Sequence, residues 1–269
     1  MKKIEFFGLP CTGKTYVADI LRNKLLRTNN IVHTHSSAFF EFIFFEKNIT
    51  ILEYISLQYY KYFKLKKISS FSNIKRNKNL KKKKISFKNP LSNKLYNTYI
   101  NLCKKLSKKN NSDLKKIIFK KIEDNPEINN SKRNAKLWFI EFFAYQYIVT
   151  KYYDKIDFLI DDESLFQKIF IFSNVSNSSG FIKKYLNLVD KPYLLILVES
   201  TIDNILSRSK KRENSSKFHY QNLKHLINMI KYKKNIKKNI NIKKEKIIIF
   251  QNNHNYLKQI KSIYERIKK

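Results

Sequence analysis

Five short apolar runs punctuate the chain, at "KIEFFG" (3–8), "NIVHTH" (30–35), "DFLIDD" (157–162), "PYLLILVES" (192–200) and "KIIIFQ" (246–251). Each has strand length and is rich in β-branched or aromatic residues. Near-continuous rather than alternating apolarity predicts strands buried on both faces, as in a parallel sheet. Between these runs the period changes. "KTYVADILRNKLLRT" (14–28) sets Val17, Ile20, Leu21 and Leu25 at helical spacing. "TIDNILSRSKKR" opens on Thr201 with Asp203 in its first turn, a helix-start pattern. "NYLKQIKSIYERIKK" puts Leu257, Ile260, Ile263, Tyr264 and Ile267 on one face. Strands alternating with helices predict an α/β fold with a mainly parallel sheet.

The region from about 36 to 150 breaks that rhythm. Its ends read as helical, with aromatic stripes at Tyr59, Tyr60, Tyr62 and Phe63 and at Trp138, Phe139, Phe142 and Phe143, predicted core positions. Its middle, 65–94, is Lys/Asn/Ser-rich with a four-lysine run and predicts a solvated or mobile segment. The apolar stretches here carry Glu41, Glu46, Glu53, Glu141 and Gln146, so none reaches the ~18 uncharged apolar residues of a spanning helix.

Composition changes the picture first at the glycines. The chain has three, and two stand five residues apart in Gly8-Leu9-Pro10-Cys11-Thr12-Gly13-Lys14-Thr15. That octapeptide fits G-x-x-x-x-G-K-[ST], the phosphate-binding loop. Wrapping backbone N–H groups around a phosphate needs angles and close approach that side chains obstruct, and glycine relieves both. The pattern assigns Lys14 to the β- and γ-phosphates and the Thr15 hydroxyl to Mg²⁺. The strand before the loop and helix after it are the context the motif requires.

Such a loop needs an acidic partner on a neighbouring strand. "DFLIDDESLFQ" brings Asp161, Asp162 and Glu163 to the C-terminal end of one. Asp161 and Asp162 are the candidate metal acids. Asp162 and Glu163 are the candidate catalytic acids, with Glu163 the base for an acceptor hydroxyl, although the three can exchange roles. The same residues would also suit a helix N-cap. Arginine is as informative as glycine: seven stand against forty-nine lysines, yet Arg208 and Arg212 fall at i, i+4 on one helix face. Paired guanidinium groups can clamp a transferring phosphoryl group, and an exposed basic face is the simpler alternative. His33 and His35 follow the second strand at the edge facing the substrate region, and Glu41 could touch an acceptor by the same geometry, but ordinary core or surface roles are the favoured reading of all three.

These pieces together resemble the P-loop kinases of the nucleoside- and nucleotide-kinase branch. "GLPCTGKT", "FLIDDES", "YLLILVESTIDNILSRSKKR" and "KIIIFQNNHNYLKQI" carry the resemblance, over roughly 1–35 and 150–269. It implies a three-layer sandwich with a five-stranded parallel sheet, in one domain over 1–269 with a helical insertion at about 36–150. It implies ATP as donor, Mg²⁺ as cofactor, Arg208 and Arg212 as a lid over the phosphates, and a last strand and helix near the base. The Asp-Arg-aromatic signature of nucleoside kinases is replaced by "DDES", which resembles instead the small-molecule kinases of bacterial surface-sugar gene clusters. The implied reaction is phosphoryl transfer to an unidentified small-molecule acceptor. A hydrolytic P-loop NTPase is the alternative, with a nucleic-acid-binding protein or a sulfotransferase-like enzyme behind it.

The charge adds less than its size suggests. A formal net charge of +35 looks like a nucleic-acid binder's. However, Lys, Asn, Ile, Phe and Tyr, all with A/T-rich codons, are inflated together, and the lysines are spread along most of the chain. Specific nucleic-acid binding is therefore not the expected role. Cys11 and Cys103 form neither a disulfide framework nor a metal site. The expected location is cytoplasmic.

Overall fold

The computed structural model describes residues 1–46, 49–72, 90–110, 112–125, 132–173, 179–210, 223–252 and 256–268. The strands are β1 (Lys2–Phe7), β2 (Val32–His33), β3 (Phe158–Asp161), β4 (Leu194–Glu199) and β5 (Ile247–Gln251). The helices are α1 (Lys14–Leu26), α2 (His35–Phe42), α3 (Ile51–Ser72), α4 (Pro90–Lys109), α5 (Asp113–Asp124), α6 (Lys132–Lys151), α7 (Leu165–Lys168), α8 (Ser179–Leu188), α9 (Ile202–Lys210), α10 (Leu223–Asn239) and α11 (Tyr256–Lys268). All five expected strands are present and all pair in parallel, in the order β2-β3-β1-β4-β5. The second is shorter than its apolar run.

The chain divides into two compact units. One holds Met1–His35, Ser112–Lys136 and Tyr153–Lys269, and the other Ser36–Asn111 and Leu137–Tyr152. The helical region between the first two strands and the third is thus divided, because α5 groups with the sheet and packs on α8. Most of the lysine-rich 65–94 segment lies outside the described residues.

In the sheet unit, successive strand residues point to opposite faces. Ile4, Phe6, Ile160, Ile196 and Val198 join Val17, Leu21 and Leu25 of α1 and Ile260, Ile263 and Ile267 of α11 in one apolar core. Ile20 is only partly buried there. Leu257, expected on the same stripe, is 63% exposed, although Tyr256 in the same turn packs against the core: Leu257 falls at the edge of the inward arc of α11. The other face carries Phe7, stacked on Phe170 at 5.2 Å, and packs under α7. It also carries charge: Glu5 is fully buried and paired with Lys3 at 2.6 Å, and it stands in register beside Asp161.

The second unit is aromatic inside. Tyr60 stacks on Tyr99 at 3.9 Å, the Tyr99 and Tyr145 hydroxyls meet at 2.6 Å, and Tyr60 donates to Glu141 at 3.3 Å. Phe139, Phe142 and Phe143 are buried as expected, whereas Trp138 and Tyr59 are half-buried. Among the described residues no helix is long and apolar enough to cross a membrane.

Candidate functional site

The candidate site lies at the C-terminal end of the sheet, where topology makes a crevice. The chain leaves β1 for α1 on one face and leaves β3 for α7 on the other, so the loops after these adjacent strands diverge. Crevices of this kind are where open α/β sheets bind ligands.

Residues 8–15 occupy the β1 side. A side chain at Gly8 would collide with the carbonyl of Val198, which explains the first glycine. Gly13 has φ +94°, a left-handed conformation, and ends the loop as the N-cap of α1. Cys11 is also left-handed at φ +64°, and it is buried. Leu9 is buried at the base of the loop and Pro10 is half-buried. Thr12 is 1% exposed and staples the turn by donating its hydroxyl to Leu9 O at 2.8 Å. The Lys14 ammonium lies within the curl, donating to Gly8 O at 3.0 Å and Leu9 O at 2.9 Å.

The β3 side supplies the acids and separates them. Thr15 donates its hydroxyl to the Asp162 carboxylate. Burial, and then the neighbouring Glu163, push Asp162 above the ordinary carboxylate range, against the opposing bond from Thr15. Asp161 points elsewhere: one oxygen accepts from the His35 backbone N–H at 3.1 Å, and the other meets the His35 ring Nδ1. Burial would raise Asp161, but the His35 contacts outweigh it and hold the carboxyl below its usual range. Of the two acids expected to serve a metal, Asp162 faces Thr15 and Asp161 is committed to His35. Glu163 is exposed beside Asp162.

Arg208 reaches the loop from α9, donating to Cys11 O at 3.4 Å and Thr12 O at 3.2 Å. Arg212 lies outside the described residues. Thr15 and Asp162 offer two oxygens. No cluster of three or more His, Cys, Asp or Glu that could hold a metal occurs among the described residues. This donor set suits Mg²⁺, which keeps several waters and shares substrate phosphates rather than entering a protein cage.

No family model, curated protein or solved structure matches the chain.

Two contacts escaped the sequence reading. Gln167 of α7 accepts from Gly8 N–H at 3.2 Å, and Asn252, just past β5, donates to Thr12 O at 2.5 Å. The available signal was position: both follow the C-terminal ends of strands, on the loop's side of the sheet. In a chain inflated with asparagine, residue type alone could not single out Asn252.

Proposed function

We propose that this chain is an ATP- and Mg²⁺-dependent kinase of the P-loop class that phosphorylates a small-molecule acceptor. The observation that carries the reading is the meeting of Thr15 and Asp162 across the crevice, beside a loop whose two glycines are sterically required. A hydroxyl and a carboxylate converging next to a lysine-filled backbone curl is the arrangement that Mg-nucleotide binding needs.

In this reading the loop amides and Lys14 hold the β- and γ-phosphates, and Arg208 moves from loop carbonyls to the transferring group. Thr15 and Asp162 hold Mg²⁺, which when bound supplies charge neutralisation on the phosphates. The acceptor oxygen attacks the γ-phosphorus, the bond to the β,γ-bridging oxygen breaks, and the acceptor's proton passes to the Glu163 carboxylate. Positioning and charge stabilisation carry most of the rate. Asp161 holds His35 and takes no part in metal binding.

A thermal-shift screen with Mg-ATP and candidate acceptors, followed by labelled-phosphate transfer, tests the proposal. Lys14→Ala should remove nucleotide stabilisation. Glu163→Gln should retain it and slow transfer by about 10²–10⁴-fold, the range for a general base. Turnover to free phosphate alone, whatever the acceptor, would replace the kinase with a hydrolytic NTPase.

A further inference from the structure

The residue after the last strand touches the peptide that joins Thr12 to Gly13. Asn252 is half-buried and fixed along its backbone, with its N–H donating to the Glu199 carbonyl at 2.9 Å. The preceding Gln251 exchanges two hydrogen bonds of 2.9 Å with the Gln259 side chain. Glu199 is itself held, by Lys237, by Lys233 at 3.5 Å and by Gln251 at 3.1 Å. From this anchored position the Asn252 amide donates to Thr12 O and fills the space where a Gly13 side chain would lie.

The consequence follows from peptide planarity. The Thr12–Gly13 bond is trans, so its C=O and N–H point in opposite directions. Asn252 and Arg208 hold the carbonyl on their side, which turns the Gly13 N–H to the other, where it has no acceptor among the described residues. Glycine opposes little of its own to rotation of that peptide. The Asn252 amide, which makes the shorter of the two bonds, therefore sets which way it faces whenever Arg208 leaves the carbonyl.

We propose that Asn252 is a positioning residue for phosphate binding, holding the Thr12–Gly13 peptide so that the Gly13 N–H faces the bound phosphate. The inference rests on the phosphate-loop reading above. Asn252→Asp is the sharpest perturbation. A carboxylate only accepts, so it repels Thr12 O, draws the neighbouring Arg208 guanidinium off that carbonyl, and attracts the Gly13 N–H in its place, which favours the inverted peptide. Loss of one hydrogen bond to a charged group predicts about 10- to 100-fold weaker binding of inorganic tripolyphosphate and Mg-ATP. Asn252→Ala leaves the carbonyl to Arg208 alone and loosens the peptide without inverting it, and a smaller loss of about three- to tenfold is expected.

The scarcity of glycine makes the test direct. Thr12–Gly13 is the only Thr-Gly step in the chain, so carbonyl-¹³C threonine with ¹⁵N glycine isolates the Gly13 amide by NMR. Gly180, with nothing within 4 Å of an added side chain, serves as the control for folding. In wild type the Gly13 signal should move on addition of tripolyphosphate while Gly180 stays. In Asn252→Asp the Gly13 signal should differ before any addition and barely respond, with Gly180 and the melting temperature unchanged. An aspartate variant that matches wild type in affinity and Gly13 response overturns the role of Asn252 and leaves the phosphate loop standing. Lost affinity accompanied by a displaced Gly180 signal and lowered melting makes Asn252 merely structural and also overturns it. A wild-type protein that binds neither tripolyphosphate nor Mg-ATP overturns the phosphate loop, and this inference with it.

Discussion

The two faces of the sheet are built from alternate residues of the same strands, yet they differ in kind. Towards α1 and α11 the side chains are Ile4, Phe6, Ile160, Ile196 and Val198, an apolar layer whose charged member, Lys2, stands at its edge and donates to Ile267 O at 2.9 Å. Towards α7 lie Lys3, Glu5 and Asp161. One face supplies burial, which is proportional to area and indifferent to detail. The other holds charges that must be matched one by one, because an unpaired buried charge costs more than a lost contact. The charged face ends at the crevice, where Asp161 and Asp162 sit side by side. The lesson is that the buried charges of the sheet are confined to one face and lead to the acids of the candidate site, while α1, from the apolar face, brings Lys14 and Thr15 to meet them.

Neighbouring residues of β1 test this most strongly. Phe6→Ala on the apolar face should cost about 3–5 kcal/mol of stability, the range for a truncated buried phenylalanine. Chemical denaturation at fixed pH measures it. On the charged face, Glu5→Leu should cost about 3 kcal/mol, because it leaves Lys3 unpaired, and Lys3→Met added to it should recover most of the loss. Burial lowers the Lys3 ammonium, but Glu5, joined by Asp190 and Asp161, outweighs it and holds Lys3 above its ordinary value. If the double variant is as unstable as Glu5→Leu, the pairing is not what makes that face stable.

The adjacent acids give smaller effects of opposite sign. Asp161 is depressed in the folded state, so its contribution is fully present above the ordinary value of about 3.9. It disappears as pH falls through the lower folded value. Asp161→Asn should therefore cost about 1–3 kcal/mol at neutral pH, with the gap from wild type closing in acid. Parallel urea titrations across pH 2–7 would detect a gap that fails to close, which would reject the His35 pairing as its source. Asp162 is raised, so ionising it costs the fold stability as pH climbs through its folded value. Asp162→Asn should then be slightly more stable than wild type at neutral pH, by about 1 kcal/mol or less. The same change should abolish the Mg²⁺-dependent part of nucleotide stabilisation. A variant that is less stable and still responds to Mg²⁺ would contradict both halves.

The same division explains what was legible in the chain. Five apolar runs located all five strands, and the glycine pair located the loop, because both signals are local and survive a biased composition. The face each strand residue takes was hidden, since runs such as "PYLLILVES" do not alternate. Nor could spacing show that Asp161 turns to His35 while Asp162 turns to Thr15: that depends on a strand pairing between residues 126 positions apart. Asn252 and Gln167 were hidden for the same reason, each meeting the loop only through the tertiary fold.

Helix α11 provides the finest test of how far periodicity alone can be followed. Its apolar stripe predicts five core positions, of which Ile260, Ile263, Tyr264 and Ile267 are buried and Leu257 is not. The reason is geometric. A stripe at 3.6-residue spacing marks an inward arc but not its exact width: Tyr256, in the first turn, packs against the core, while Leu257 beside it lies at the edge of the arc. Leu257→Ser should accordingly change stability by no more than about 0.5 kcal/mol, whereas Ile260→Ala, one turn further on, should cost about 2–5 kcal/mol. Equal losses at the two positions would mean that Leu257 is covered in solution, and that the inward arc of α11 is wider than its buried residues mark.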